Sequence, residues 1–107
     1  LTSASSEDDL VIMIDILHQV RAQLDHYRSK FNSPPQPDTD TALLIQLNKV
    51  IDSRIPALNR LPANPFNGLR TVRIDTNSDF ISGSFGWHYN PQTGRFRADD
   101  SPGHANL

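Results

Sequence analysis

DDLVIMIDILHQVRAQLDHYRSKF, residues 8–31, is the longest periodic stretch in the chain, and the remainder reads as material laid against it. Leu10, Met13, Leu17, Val20, Leu24, Tyr27 and Phe31 follow one another at alternating steps of three and four residues, which is the spacing of an amphipathic helix. Ser6 and Asp9 have the spacing of a capping box with Asp in place of the usual Glu, and Glu7, Asp8 and Asp9 put negative charge at the positive end of the helix dipole. A helical stem over residues 6–32 follows, with Arg28 and Lys30 balancing its far end. The first half of the stem is richer in apolar residues than one stripe requires, through Val11, Ile12, Ile14 and Ile16. From Gln19 onward the off-stripe positions turn polar: Gln19, Arg21, Gln23, Asp25 and His26. The simpler explanation is burial by a broad sheet or by a second copy. The sharper one is a helix whose exposed start packs with neighbours in an assembly.

Working outward, Asn32-Ser33-Pro34-Pro35-Gln36-Pro37 must end the stem, because prolines neither continue a helix nor let the preceding residue stay helical. A second helix is expected over 38–54, with Asp38, Thr39 or Asp40 as its cap and Ala42, Leu43, Leu44, Leu47, Val50 and Ile51 at helical spacing. Residues 58–70 hold two X-Pro bonds and an Asn-Gly, so an irregular connection is expected, with Phe66 as its anchor. Residues 71–99 read as antiparallel strands. Val72 and Ile74 alternate on one face of the first. Phe80–Phe85 reads as a loop or weak strand, made mobile by Ser82-Gly83-Ser84. The clearest hairpin is Gly86–Asp99, closed by Pro91-Gln92-Thr93-Gly94. Pairing Asn90 with Arg95 sets Tyr89 against Phe96, His88 against Arg97 and Trp87 against Ala98. Apolar side chains then share one face, and His88, Arg95 and Arg97 share the other, which is read as solvated. Residues 100–107 form a polar tail expected to fray.

These elements give one α+β domain over residues 1–107: a long N-terminal amphipathic helix packed against a small antiparallel sheet, with a short second helix. At 36 % hydrophobic residues and eight prolines, much of the chain must be loop. A net charge of −2 offers no basis for nucleic-acid binding. The absence of cysteine excludes disulfides and thiolate chemistry. No run reaches the roughly 18 apolar residues of a membrane span.

Three segments in order carry a resemblance to a known family. They are Val20-Arg21-Ala22-Gln23-Leu24-Asp25-His26-Tyr27-Arg28 running into the proline break, Leu61-Pro62-Ala63-Asn64-Pro65-Phe66-Asn67-Gly68, and Gly86-Trp87-His88-Tyr89-Asn90-Pro91-Gln92-Thr93-Gly94-Arg95-Phe96-Arg97-Ala98. Together they resemble the soluble part of a type IV pilin-like protein, most closely the pseudopilins of bacterial type II secretion. The resemblance implies a non-catalytic filament subunit. It implies an apolar helix upstream of Leu1 that anchors the protein in the inner membrane, with this domain in the periplasm. Its partners would be other copies of itself, related pseudopilins and the inner-membrane secretion machinery, and Leu10, Met13 and Leu17 would set subunit packing along the stem.

The chain offers no convergent set of catalytic groups. His18 and His26 stand roughly 80° apart around a helix axis, a placement that suits packed or exposed side chains better than metal ligands. His88, opposite Arg97, is expected to be a surface residue whose protonated form is disfavoured, and His104 falls in the tail. No serine sits in a Gly-x-Ser-x-Gly elbow. Asp75, Asn77 and Asp79 place oxygen side chains at alternate positions, as a loop wrapping Ca²⁺ does. An EF-hand would then need Gly and Glu where Phe80 and Gly86 stand, so an Asx-rich turn without an ion is preferred. Major pseudopilins are similar in using a calcium loop in the strand region, which would make Asp99 and Asp100 distant contributors. Trp87 and Tyr89 could form a ligand platform, but Phe96 opposite them favours core packing. The rival to the filament subunit is a soluble calcium- or small-ligand-binding module built on the loop from Asp75 to Gly86.

Overall fold

The computed structural model describes residues 2–50, 60–77 and 80–107. Helix α1 spans Thr2–Phe31, helix α2 spans Asp40–Leu47 and continues into a 3-10 turn at Asn48–Val50, and strands β1, β2 and β3 span Val72–Ile74, Trp87–Asn90 and Arg95–Ala98. The class is α+β.

Helix α1 begins before Ser6, because nothing in Thr2-Ser3-Ala4-Ser5 breaks a helix, so Ser6 and Asp9 lie inside it and form no terminal capping box. Glu7, Asp8 and Asp9 accordingly sit beyond the first turn, where the dipole has little to offer. The other end agrees with the sequence: Arg28 and Lys30 occupy the last turn. Asn32 adopts φ +61° and donates its N–H to Arg28 O at 2.8 Å, a left-handed residue closing the helix. Thr39 caps α2, its side chain accepting from Ala42 N at 3.1 Å. The α-helical part stops at Leu47, short of the expected 54; residues 51–54 lie outside the described residues, as do 58 and 59 of the connection.

The sheet order is β1-β2-β3, and β2–β3 pairs in the expected register: Trp87 with Ala98, His88 with Arg97, Tyr89 with Phe96, Asn90 with Arg95. Gly94, at φ +75°, completes the turn by donating to Asn90 O at 2.7 Å. The expectation of a wholly antiparallel sheet fails at β1, which runs parallel to β2 with Val72 beside Trp87 and Ile74 beside Tyr89. The cause is the connection. The twelve residues between β1 and β2 are long enough to return the chain to the end of the sheet where β1 began, which a parallel pair requires and a hairpin does not.

Met13, Leu17, Val20 and Leu24 of α1 meet Leu43 and Leu47 of α2 and the Val72, Trp87, Tyr89, Phe96 and Ala98 face of the sheet in one core. Leu10, at the start of the stripe, is half-buried, and Phe31 at its end is exposed. Buried polar tips find partners: Trp87 Nε1 donates to Pro62 O at 2.9 Å, and the Tyr89 hydroxyl donates to Pro35 O at 2.7 Å. The second bond draws the proline break onto the sheet, where Gln36 Nε2 also donates to Pro91 O at 2.7 Å. Phe66 packs on the core's edge as expected and faces His104, ring centres 4.2 Å apart. His104 Nδ1 in turn lies 2.6 Å from Asp100 Oδ2, and Ala105 is buried. The tail therefore folds back rather than fraying.

Candidate functional site

The informative part of the molecule is the face of the sheet away from α1. The sequence reading leaves it to solvent, but β2 is the central strand and all four of its residues are buried. Residues 75–77 and 80–86 of the β1–β2 crossover lie over this face. On it converge Arg73 from β1, His88 from β2, Arg97 from β3, Asp75 at the start of the crossover, and Asp99 just after β3.

Arg73 is the hub, with its side chain 7 % exposed and that of Asp99 0 %. Its Nε and Nη2 grip the Asp99 carboxylate at 3.2 and 3.1 Å. Nη1 reaches both oxygens of Asp75 at 2.8 Å and Asn77 O at 3.2 Å. Nη2 also donates to Phe80 O at 3.1 Å, and the Phe80 ring lies over the guanidinium, 4.3 Å from its centre. The planar fork of arginine suits this many-sided grip, since its five N–H groups have fixed directions. Burial pushes the Arg73 pKa down, but the hydrogen bonds and charges of Asp99 and Asp75 outweigh it and hold the group above its ordinary value. For Asp75, burial pushes up and Arg73 outweighs it, leaving the carboxyl below the usual range.

Ser82 closes the other side of Asp99, through its N–H at 3.3 Å and through its hydroxyl. Gly83 N donates to Asp99 O at 2.9 Å. Ser82-Gly83-Ser84 is thus fastened to the sheet rather than mobile, and Phe80–Phe85 is loop without strand.

His88 is 1 % exposed. Arg97 Nε donates to its Nδ1 at 3.2 Å, so Nδ1 is an acceptor and the ring proton sits on Nε2, where it reaches Asp75 Oδ1 at 3.0 Å and Asp75 O at 3.2 Å. Burial, then the charge of Arg73, lowers the His88 pKa, with Asp75 opposing. The neutral ring matches the expectation from its pairing with Arg97; the surface position does not. Arg97 also ties into the loop, Nη2 donating to Phe80 O at 3.1 Å, so of the two expected solvated arginines Arg95 alone is exposed.

This geometry bears on the calcium expectation at Asp75, Asn77 and Asp79. Asp79 lies outside the described residues. Both oxygens of Asp75 and both of Asp99 already serve Arg73, and Asp100 is engaged by His104 and, at 3.0 Å, by Asn64 Nδ2. Among the described residues no group of three acidic or imidazole side chains could hold a metal ion. Arg73 supplies the positive charge beside the Asp75 and Asp99 carboxylates.

A residue the sequence reading passes over, Asn64, joins the two motifs of the connection and the hairpin. Fully buried, it donates from Nδ2 to Gly86 O at 2.8 Å and accepts on Oδ1 from Phe66 N at 2.8 Å. Gly86 must lack a side chain here, since a Cβ would stand 2.0 Å from Leu69 O.

Trp87 and Tyr89 are wholly buried in the core and offer no ligand platform. His18 is exposed, and His26 half-buried. On the stem, Met13 and Leu17 belong to the domain's own core. Val11 and Ile12 stand out instead, 59 % and 48 % exposed. No described helix is long and apolar enough to cross a membrane. Comparison of the chain with protein-family models, with curated proteins and with solved structures finds no match.

Proposed function

We propose that this chain is the periplasmic domain of a pilin-like, non-catalytic structural subunit, joined to the inner membrane by an apolar segment upstream of Leu1 and polymerising into a filament that serves protein secretion. Its partners are copies of itself, related pseudopilins and the inner-membrane secretion machinery. The observation that carries the reading is the division of labour along α1. Residues from Met13 to Leu24 supply the domain's core, whereas Val11 and Ile12 present large apolar side chains to solvent. A helix used only inside its own domain has no need of that second surface. The subunit contact therefore shifts from Met13 and Leu17 toward Val11 and Ile12, beside the half-buried Leu10. The rival, a calcium- or ligand-binding module on the 75–86 loop, is disfavoured because Arg73 occupies the carboxylates such a site would use.

The chain has no native cysteine, so introduced thiols report cleanly. In the full-length protein in its membrane, bismaleimide treatment of Val11→Cys and Ile12→Cys should link subunits, while exposed polar positions on the same helix, His18→Cys and Ser29→Cys, should link far less. Equal linking at all four positions, or none, contradicts the reading.

A further inference from the structure

A cavity of about 430 Å³ opens between α1 and the hairpin, with Leu24 and Phe96 as apolar floor and Arg21, Arg28 and Arg95 around it. Asp25 is the one acidic side chain among the described residues lining it, against three guanidinium groups, and Leu107 lines it as well. Arg21 is fixed in place, its Nε donating to Phe96 O at 3.1 Å. Burial and the nearby Arg95 both press its pKa down. Arg28 and Arg95 are exposed, and neither side chain has an acidic partner among the described residues. Like charges gathered around a partly apolar hollow are unfavourable in the isolated molecule and complementary to an anionic group entering it.

The opposite charge is on the same helix. Glu7, Asp8 and Asp9 form an acidic group one turn from the exposed Val11 and Ile12, and none of the three has a cationic partner among the described residues. At roughly 1.5 Å per residue Asp8 stands about 30 Å from Arg28 along a rigid helix. The two surfaces cannot meet within one molecule. They can meet between molecules, and because they are different surfaces the contact is heterologous and repeats without closing unless a rotation returns it to the start. Resting on the filament reading above, we propose that the Arg21, Arg28 and Arg95 cavity receives the Glu7-Asp8-Asp9 segment of a second copy of this chain, in a head-to-tail contact repeated along the filament.

The test uses the full-length protein in its membrane with Glu7→Cys and Thr93→Cys in one chain, one thiol in the acidic segment and one on the cavity wall. Oxidation should give a ladder of disulfide-linked multimers. Adding Arg28→Glu and Arg95→Glu should reduce the ladder at least tenfold, and further adding Asp8→Arg and Asp9→Arg should restore it. Raising salt from 50 to 500 mM should weaken the ladder, since partly exposed ion pairs are screened. Multimers captured by an amine-reactive crosslinker, with no disulfide ladder through the two introduced thiols, would overturn this contact and leave the filament standing. No multimers by either chemistry would overturn both. A ladder indifferent to the charge reversals would overturn the electrostatic pairing. Saturable binding of inorganic phosphate by the cavity, without a ladder, would assign it to a small anion instead.

Discussion

Replacing Arg73 with Met removes a guanidinium that is buried between two carboxylates while keeping an unbranched stem of similar reach. Asp99 would then keep only its bonds to Ser82 and remain a charge with no exposed surface. Removing one partner of a buried pair costs about 3–5 kcal/mol, because the remaining charge is uncompensated. That is a large fraction of the roughly 5–15 kcal/mol that holds a domain folded. With a urea slope of about 1.5 kcal/mol per molar, the unfolding midpoint should fall by about 2–3 M. The Asp75 side chain is 40 % exposed, so water screens its share, and Asp75→Asn should cost clearly less than Asp99→Asn. A double-mutant cycle isolates the pair: Arg73→Met with Asp99→Asn should cost less than the sum of the two single changes, since the second removes the charge stranded by the first. A midpoint shift below about 0.5 M for Arg73→Met, or additive costs in the cycle, would refute the view that Arg73 is the internal cation of this face.

The other predictions concern the same packing. Gly86→Ala places a methyl 2.0 Å from the Leu69 carbonyl, so backbone must move; a loss of about 3 kcal/mol or more is expected in urea unfolding, and a neutral result would contradict the close approach. Tyr89→Phe strands the buried Pro35 carbonyl and should cost about 1–3 kcal/mol by the same assay. His88 has a folded pKa below its unfolded value, so the unfolded chain takes up the proton more readily. Its contribution is therefore whole above about pH 6.5 and is lost as pH falls toward the folded value. Asp75, also depressed, adds a further loss below about pH 3.9. The urea midpoint should fall between pH 7.5 and 5.5, and His88→Gln should flatten that fall. Millimolar calcium should leave the melting temperature within about 1 °C, whereas a rise that grows with the logarithm of calcium concentration would reveal a site that binds the folded state.

What the sequence discloses follows from local rules. The α1 stripe and the β2–β3 register are legible because side-chain periodicity and turn chemistry act over neighbouring residues. Pro91 and Gly94 fix the turn, and once Asn90 faces Arg95 the faces sort themselves. The direction of β1 is not local information. Residues 75–86 are long enough for either a loose antiparallel return or a parallel crossover, and their length is the available hint. The polar face is easily misread because Arg73, His88, Arg97 and Asp99 are residue types that ordinarily meet water, and a strand alternating polar and apolar normally has one wet face. The missed signal is in the loop. Phe80 amid Ser and Asp suggests a segment that covers something, and opposite charges at Arg73 in β1 and Asp99 just after β3 suggest what it covers. Asn64 looks like loop composition, although a buried amide beside a glycine-only contact is what joins the connection to the hairpin. On the stem, periodicity names Leu10, Met13 and Leu17 as one surface without saying which partner buries it, and for Met13 and Leu17 the domain's own sheet and second helix do so.

The filament reading is tested most directly by the sequence encoded upstream of Leu1 in the gene. A filament subunit should show a short basic leader there, then Gly-Phe, a Glu a few residues later, and about 20 apolar residues running in helical register into α1. An ordinary cleavable signal peptide followed directly by this domain, or a polar upstream segment, would contradict it.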